Sequence, residues 1–175
     1  MPEGNSFSAL IAYFQTLASQ HVSIKNFYRF ELDEVLSDLR DLETPCLVME
    51  GYKFSFTDNK SDNILKTRGG AFILLDQVKD IGDFNAIHAA WDSLEVIGDD
   101  ILARIRADKR LPDSPVQSFP IESVEAHLLS NEMGNYYGIR FTFDIVCKFN
   151  PDVDATRWII PVLDPDPVPD PNPVL

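Results

Sequence analysis

The sequence is short of cysteine and of basic residues, and it has no long apolar run. Its 175 residues include two cysteines, Cys46 and Cys147, and neither stands in a CxxC pair, so we interpret them as buried thiols. Lys and Arg number 15 against 28 Asp and Glu, and the resulting net charge of −13 argues against a surface that grips nucleic-acid phosphates. No apolar stretch is long enough to span a membrane, and residues 1–10 do not resemble a signal peptide. We therefore expect a soluble intracellular protein with no membrane contact.

The motifs of common enzyme chemistries are also missing from the sequence. His21, His88 and His127 show no paired spacing such as HExxH, and neither a GxSxG elbow nor a GxxxxGK[ST] phosphate loop occurs. The acidic residues of segment 92–100 fall on the polar side of a predicted helix, and loop 58–63 lacks the Gly and the terminal Glu of a calcium loop. We predict no catalytic residue, no metal, no cofactor and no enzymatic activity.

Helical periodicity is present in three segments. Apolar residues at steps of three and four predict an amphipathic helix over residues 6–20, capped by Asn5 or Ser6. Asp33 can cap a second, shorter helix that ends before Pro45. The clearest pattern predicts a long helix over residues 84–108, whose interior Gly98 indicates a close approach to a strand or to a neighbouring chain.

Extended segments lie on either side of the long helix. Residues 46–57 and 64–78 predict one hairpin around a polar loop, and Gly69-Gly70 in its second arm suggests a bulge or a close backbone contact. Residues 121–130 and 136–149 predict a second hairpin, in which the last strand alternates strictly between apolar and other residues. The predicted fold class is α+β: an antiparallel four-stranded sheet of two hairpins, with the long helix and the N-terminal helix packed on one face.

The composition changes at residue 151 and divides the chain in two. Residues 1–150 read as one α+β domain, whereas residues 151–175 hold seven of the 12 prolines, five aspartates and a single basic residue. Such a segment favours an extended polyproline II conformation. We expect this Pro/Asp-rich C-terminal arm to lie against a surface, either its own or that of a neighbouring copy.

Two segments are candidate interaction sites. Loop 58–68 joins the arms of the first hairpin and could project from the domain as an interaction finger or be an ordinary solvated turn. The C-terminal arm begins with an apolar patch that follows its one basic residue. The candidate residues are Lys60, Lys66, Arg68, Arg157, Trp158, Ile159, Ile160, Pro161, Val162 and Leu163.

The order and size of these elements resemble the tail terminator or tail completion proteins of tailed bacteriophages and related phage-like particles. The resemblance covers roughly residues 6–149, and the passages that carry it are the long helix 84–108 and the closing hairpin segments 121–127 and 137–145. It has no diagnostic motif, and the C-terminal arm has no counterpart in it.

The resemblance implies a structural virion protein, located in the tail or neck and assembled in the host cytoplasm. Subunits of that family form a homo-oligomeric ring, commonly a hexamer, at the head-proximal end of the tail tube, where they meet tail-tube and head-tail connector proteins. DNA passes through such a ring without tight binding, which agrees with the net charge of −13. The alternative is a monomeric acidic binding or inhibitor module that docks a basic partner.

Overall fold

Within the described parts of the chain, the structure is a mixed β-sheet of six strands with two α-helices on one face. The computed structural model describes residues 6–29, 42–58, 64–132, 135–150 and 152–159. The α+β class predicted from the sequence is confirmed. The elements are α1 (Phe7–Gln20), β1 (Asn26–Arg29), β2 (Cys46–Met49), β3 (Lys53–Thr57), β4 (Leu65–Gln77), α2 (Phe84–Asp108), β5 (Glu125–Glu132) and β6 (Tyr136–Lys148).

The sheet differs from the predicted four antiparallel strands. Its order is β1-β2-β4-β6-β5, and β3 pairs with β4 beyond the end of β2. β1, for which the sequence predicts no strand, is one of the two additional strands, and it pairs in parallel with β2. Four residues are too few to show an alternation, and a parallel partner cannot be deduced from a hairpin turn.

The predicted strand 46–57 is interrupted in the middle by a β-bulge. Residues 50–52 lie between β2 and β3, and these three residues oppose two residues of β4. The extra residue shifts the alternation, so Val48 and Tyr52, which share one parity in the sequence, lie on opposite faces of the sheet. The bulge therefore lies in the partner strand, opposite Gly70 and Ala71, and not in β4 itself, whose pairing with β6 is continuous.

Both helices begin where the sequence predicts. The hydroxyl of Ser6 accepts a hydrogen bond from the amide of Ala9 at 3.1 Å, and the carboxylate of Asp83 caps α2 in the same way. The predicted second helix, from Asp33, lies outside the described residues. No helix within the described ranges has the length and apolar character needed to cross a membrane.

The main core lies between the two helices and one face of the sheet, which we call the helix face. Its centre is a stack of aromatic rings: Phe72 of β4 lies parallel to Phe141 of β6, with centroids 4.7 Å apart. Phe14 of α1 packs on Phe72 at 5.3 Å and on Phe143 at 5.9 Å. The stack therefore joins α1, β4 and β6 through side chains that are buried.

α2 lies on this stack through Gly98. A side chain at this position would overlap the ring of Phe141, so the absence of a β-carbon lets the helix approach β6. The close approach that the sequence predicts at Gly98 is confirmed, and its partner is a strand of the same chain.

A polar contact joins the two helices. The hydroxyl of Tyr13 donates to Asp108 Oδ2 at 3.0 Å, and Arg104 Nε donates to the same carboxylate at 2.8 Å. Burial, followed by the hydrogen bond to Asp108, raises the pKa of Tyr13. Arg104 thus pairs with Asp108, one turn further along α2, and Asp100 lies 3.4 Å from His21.

The opposite face of the sheet is only partly exposed to solvent. Beside β2 and β4 it carries a second apolar cluster, in which Cys46, Val48, Ile73 and Leu75 are inaccessible to solvent. Burial raises the pKa of the Cys46 thiol to about 12. Along β6 this face changes from buried Tyr136 to exposed residues at the other end.

The close contact at Gly98 predicts that Gly98→Ala destabilises the protein. Alanine would favour the helix by up to about 1 kcal/mol, but the overlap with the buried Phe141 ring costs about 1–3 kcal/mol, so the net effect is a loss of stability. Urea unfolding would measure it. Ser93→Ala, at an exposed position of the same helix, is the control and should change stability by less than about 0.5 kcal/mol. A Gly98→Ala variant as stable as the native protein would contradict the packing described.

The two cysteines should differ in reactivity towards a maleimide. With a pKa of about 12, roughly one Cys46 thiol in 10,000 is ionised at pH 8, and the side chain is buried. Cys147, which the sequence predicts to be buried like Cys46, is only half-buried and donates a hydrogen bond to the carbonyl of Lys66. Mass spectrometry of the folded protein should show one label, on Cys147, and two after unfolding. A folded Cys147→Ser variant that still takes up label at the same rate would overturn the assignment.

Candidate interaction surface

One end of the sheet extends beyond the helices as a three-stranded arm. The arm consists of residues 53–57 of β3, 65–70 of β4 and 143–148 of β6, which pair continuously with one another. α1 packs against β1 and β2, α2 packs against β4 and β6, and every residue of β3 is exposed. The arm is thus held by strand pairing and, at its base, by Phe143 and Ile145 in the main core, and it is open to solvent along β3.

The helix face of the arm carries a cationic aromatic patch, formed by Phe54, Phe56, Lys66, Arg68 and Phe149. Phe54 and Phe56 are 57% and 50% exposed, and their rings meet edge to face. The ring of Phe56 also meets that of Phe149, with centroids 5.0 Å apart. The ammonium of Lys66 lies 4.4 Å from the centre of the Phe54 ring. Three rings and two cations therefore form one surface.

The two cations of the patch lack carboxylate partners within the described ranges. Lys66 contacts two aromatic rings, and the guanidinium of Arg68 lies 5.7 Å from the centre of the Tyr52 ring. Arg68 Nε is buried and has no hydrogen-bond partner in these ranges. In a chain with a net charge of −13, two unpaired cations beside exposed rings indicate a surface suited to an anionic, partly apolar partner.

The candidate residues from the sequence are brought together only in part. Lys66 and Arg68 lie side by side on the arm as strand residues and not in a loop, whereas Lys60 and residues 160–163 lie outside the described residues. Arg157 ends a short 3₁₀ helix (Ala155–Arg157) and lies 2.9 Å from Asp154. The hydroxyl and the amide of Thr156 lower the pKa of Asp154. Trp158 and Ile159 are exposed, as is all of segment 152–159.

A groove that the sequence analysis did not predict runs between α2 and β5. Neither helix covers β5, so Leu128 is 60% exposed, and the buried side chains of Ile139 and Phe141 form the floor. At one end the indole of Trp91 donates to the carbonyl of Leu129 at 3.2 Å and fastens α2 to β5. The groove encloses about 450 Å³, within the range of pockets that take up a drug-sized molecule.

The rim of this groove is acidic. Glu95 and Asp99 stand one turn apart on α2, line the groove and are exposed. Neither forms an ion pair with another residue of the described ranges, in contrast to Asp100 and Asp108 on the same helix. An apolar floor with two unpaired carboxylates beside it favours a ligand that is apolar and cationic.

The opposite face of the sheet holds a polar depression at the base of the arm. Glu50, from the bulge, accepts hydrogen bonds from Arg140 Nε at 3.0 Å and Nη2 at 2.7 Å. Lys53 and Asp144 also line it, and the carboxylate of Asp144 reaches over Gly69, where a β-carbon would lie 2.9 Å from it. The sequence suggests a bulge or a close backbone contact at Gly69-Gly70, and the atoms close to these glycines are side chains, of Asp144 and Phe143 in β6 and of Tyr52. The main charged pair of this depression, Glu50 with Arg140, is therefore already formed within the chain.

The histidines and acidic residues of the described ranges do not converge on one site. His21 and His127 each lie near one carboxylate, at 3.4 Å and 3.8 Å, and His88 stacks on Trp91. Within the described ranges no three metal-ligating side chains come together. The features that stand out for recognition are accordingly the patch and the groove.

Sequence reasoning found the cations of the arm but missed its aromatic partners and the groove. Phe54 and Phe56 alternate in the sequence in the same way as buried strand residues do, so the pattern does not mark them as exposed. The groove joins α2 to β5 across a separation of about 30 residues, which leaves no local pattern. One signal was available in the sequence: the predicted strands carry more large apolar residues than the few predicted helices can cover, which indicates exposed apolar surface. The chain matches no protein-family model and no curated protein.

Proposed function

We propose that this chain is a structural subunit of a tailed bacteriophage or phage-like particle, which forms a homo-oligomeric ring at the head-proximal end of the tail tube. The observation that carries the proposal is the three-stranded arm. It presents exposed aromatic rings and unpaired cations beside an outer strand, β3, that the helices leave exposed. Surfaces of this kind on a folded domain mark contacts with other protein chains.

Open strand edges support the same role. Within the described ranges β3 pairs on one side only, with β4, and residues 145–148 of β6 pair only with β4, whereas the backbone of Asp144 is bonded by the Ser123 hydroxyl. Unpaired edges are protected in most monomeric proteins, because they add strands from other chains. An arm with two open edges and an apolar face is suited to lie between subunits.

Charge distribution fits a ring through which DNA moves. The arm holds four of the chain's 15 basic residues and one of its 28 acidic residues, so the rest of the surface is more acidic than the net charge of −13 suggests. A strongly acidic lining repels phosphates and lets DNA slide without binding. In this proposal the neighbours along the particle axis are tail-tube and connector proteins, and the ring is located in the tail or neck of the virion.

The C-terminal arm is the second contact of the proposed ring. The exposed Trp158 and Ile159 continue into the apolar residues 160–163 and then into the Pro/Asp-rich segment. An extended chain of this composition binds neighbouring surfaces at a small cost in conformational entropy.

A second candidate function is a monomeric acidic module that docks a basic partner. The acidic rim of the groove between α2 and β5 favours it, since Glu95 and Asp99 are unpaired beside an apolar floor. In that case the chain acts alone, and its partner supplies the cations.

The native mass of the full chain, compared with that of a chain truncated after Asn150, tests the proposal. We expect the full chain to form closed rings, because the three-stranded arm and the C-terminal arm both contribute contacts. We expect the truncated chain to dissociate to smaller species. Light scattering and native mass spectrometry over a range of concentrations measure the masses, and negative-stain microscopy shows whether a central opening exists.

A chain that is monomeric in both forms, and that stays monomeric when isolated tail tubes are added, contradicts the ring. That outcome favours the acidic binding module. Circular dichroism of the truncated chain provides the control, because dissociation counts only if the α+β domain is still folded.

A further inference from the structure

We infer that the groove between α2 and β5 binds the cationic aromatic patch of a neighbouring copy of this chain. This inference rests on the proposed function in one respect, that copies of the chain assemble, and it names the two surfaces that meet. It is carried by residues that the structure describes on both sides.

The two surfaces complement each other in charge. The two cations of the arm, Lys66 and Arg68, are unpaired within the described ranges, and so are the two carboxylates at the rim of the groove, Glu95 and Asp99. An interface that brings them together pairs two cations with two carboxylates. Juxtaposed charges of opposite sign also fix the orientation of a contact and exclude other pairings.

The two surfaces also complement each other in apolar character. The patch projects Phe54 and Phe56, which are about half exposed, and the groove has a floor of aliphatic and aromatic side chains with Leu128 exposed at its edge. Aromatic side chains that fill an apolar groove are the usual energetic centre of a protein interface. Charges at the rim of the groove and rings at its floor match the common arrangement of a polar rim around an apolar centre.

The contact has to form between two chains. Both surfaces lie on the helix face of one continuous sheet, and the residues of the patch are fixed in β3, β4 and the end of β6 by strand pairing. The patch therefore cannot fold over onto the groove of its own chain. Each copy offers one donor and one acceptor surface, which is what a ring of identical subunits requires.

Two complementary variants test the contact without depending on ring closure. The first, Phe54→Ser/Lys66→Glu, removes the donor surface and keeps the groove. The second, Glu95→Lys/Asp99→Lys, removes the acceptor surface and keeps the arm. All four positions are exposed or half-buried, so the variants should fold, and circular dichroism checks that they do. Native mass spectrometry is recorded on each variant alone and on their equimolar mixture.

The mixture should form a one-to-one complex, because it contains one intact patch and one intact groove. Each variant alone should assemble at least about tenfold more weakly than the native chain. Controls with the same changes elsewhere, Phe84→Ser/Lys79→Glu and Asp92→Lys/Asp100→Lys, should assemble like the native chain, since these exposed residues belong to neither surface. Combining Lys66→Glu with Asp99→Lys in one chain should restore part of the assembly.

The outcomes separate this inference from the proposed ring. A mixture that forms no complex at sub-millimolar concentrations, or native rings that persist in both surface variants, overturns the contact between patch and groove. A one-to-one complex in the mixture, together with a native chain that stops at a closed dimer, upholds the contact and contradicts the ring.

Discussion

The aromatic stack of Phe14, Phe72, Phe141 and Phe143 determines where everything else in the molecule lies. It fixes α1 over β2 and the centre of β4, and through Gly98 it brings α2 onto β6. The helices packed on this stack contact mainly β1, β2, β4 and β6, and they leave β3 and most of β5 exposed. The bare arm at one end and the bare strand β5 at one edge are thus consequences of the position of the core.

The sequence predicts those parts of the fold in which one periodic pattern of apolar residues packs against a single core. α1, α2 and β6 each place a single apolar face on the aromatic stack, so periods of 3.6 and 2 residues locate them to within a residue or two of their observed bounds. Gly98 could be interpreted for the same reason, since a glycine inside such a pattern indicates a close contact.

The parts that the sequence does not predict depend on pairings between distant residues. The bulge at 50–52 changes the face that the strand's side chains occupy, and Gly51 is the one residue in it that could indicate a bulge. β1 is held by a parallel partner that its four residues do not reveal. Lys66 and Arg68 could be recognised from charge alone, because cations are scarce in this chain. The groove could not, since Glu95 and Leu128 become neighbours only when β5 pairs with β6.

Assembly of such an acidic chain has to overcome repulsion between its copies. Each copy carries a net charge of −13, and this repulsion acts over about 8 Å at physiological ionic strength, whereas contacting charges attract at about 3–4 Å. Salt therefore weakens the long-range repulsion more than the short contacts, and exposed rings add an attraction that salt does not screen. In the proposed assembly, the two cations beside the exposed rings of Phe54 and Phe56 let acidic copies associate in one orientation, while the remaining surface keeps the copies, and DNA, apart.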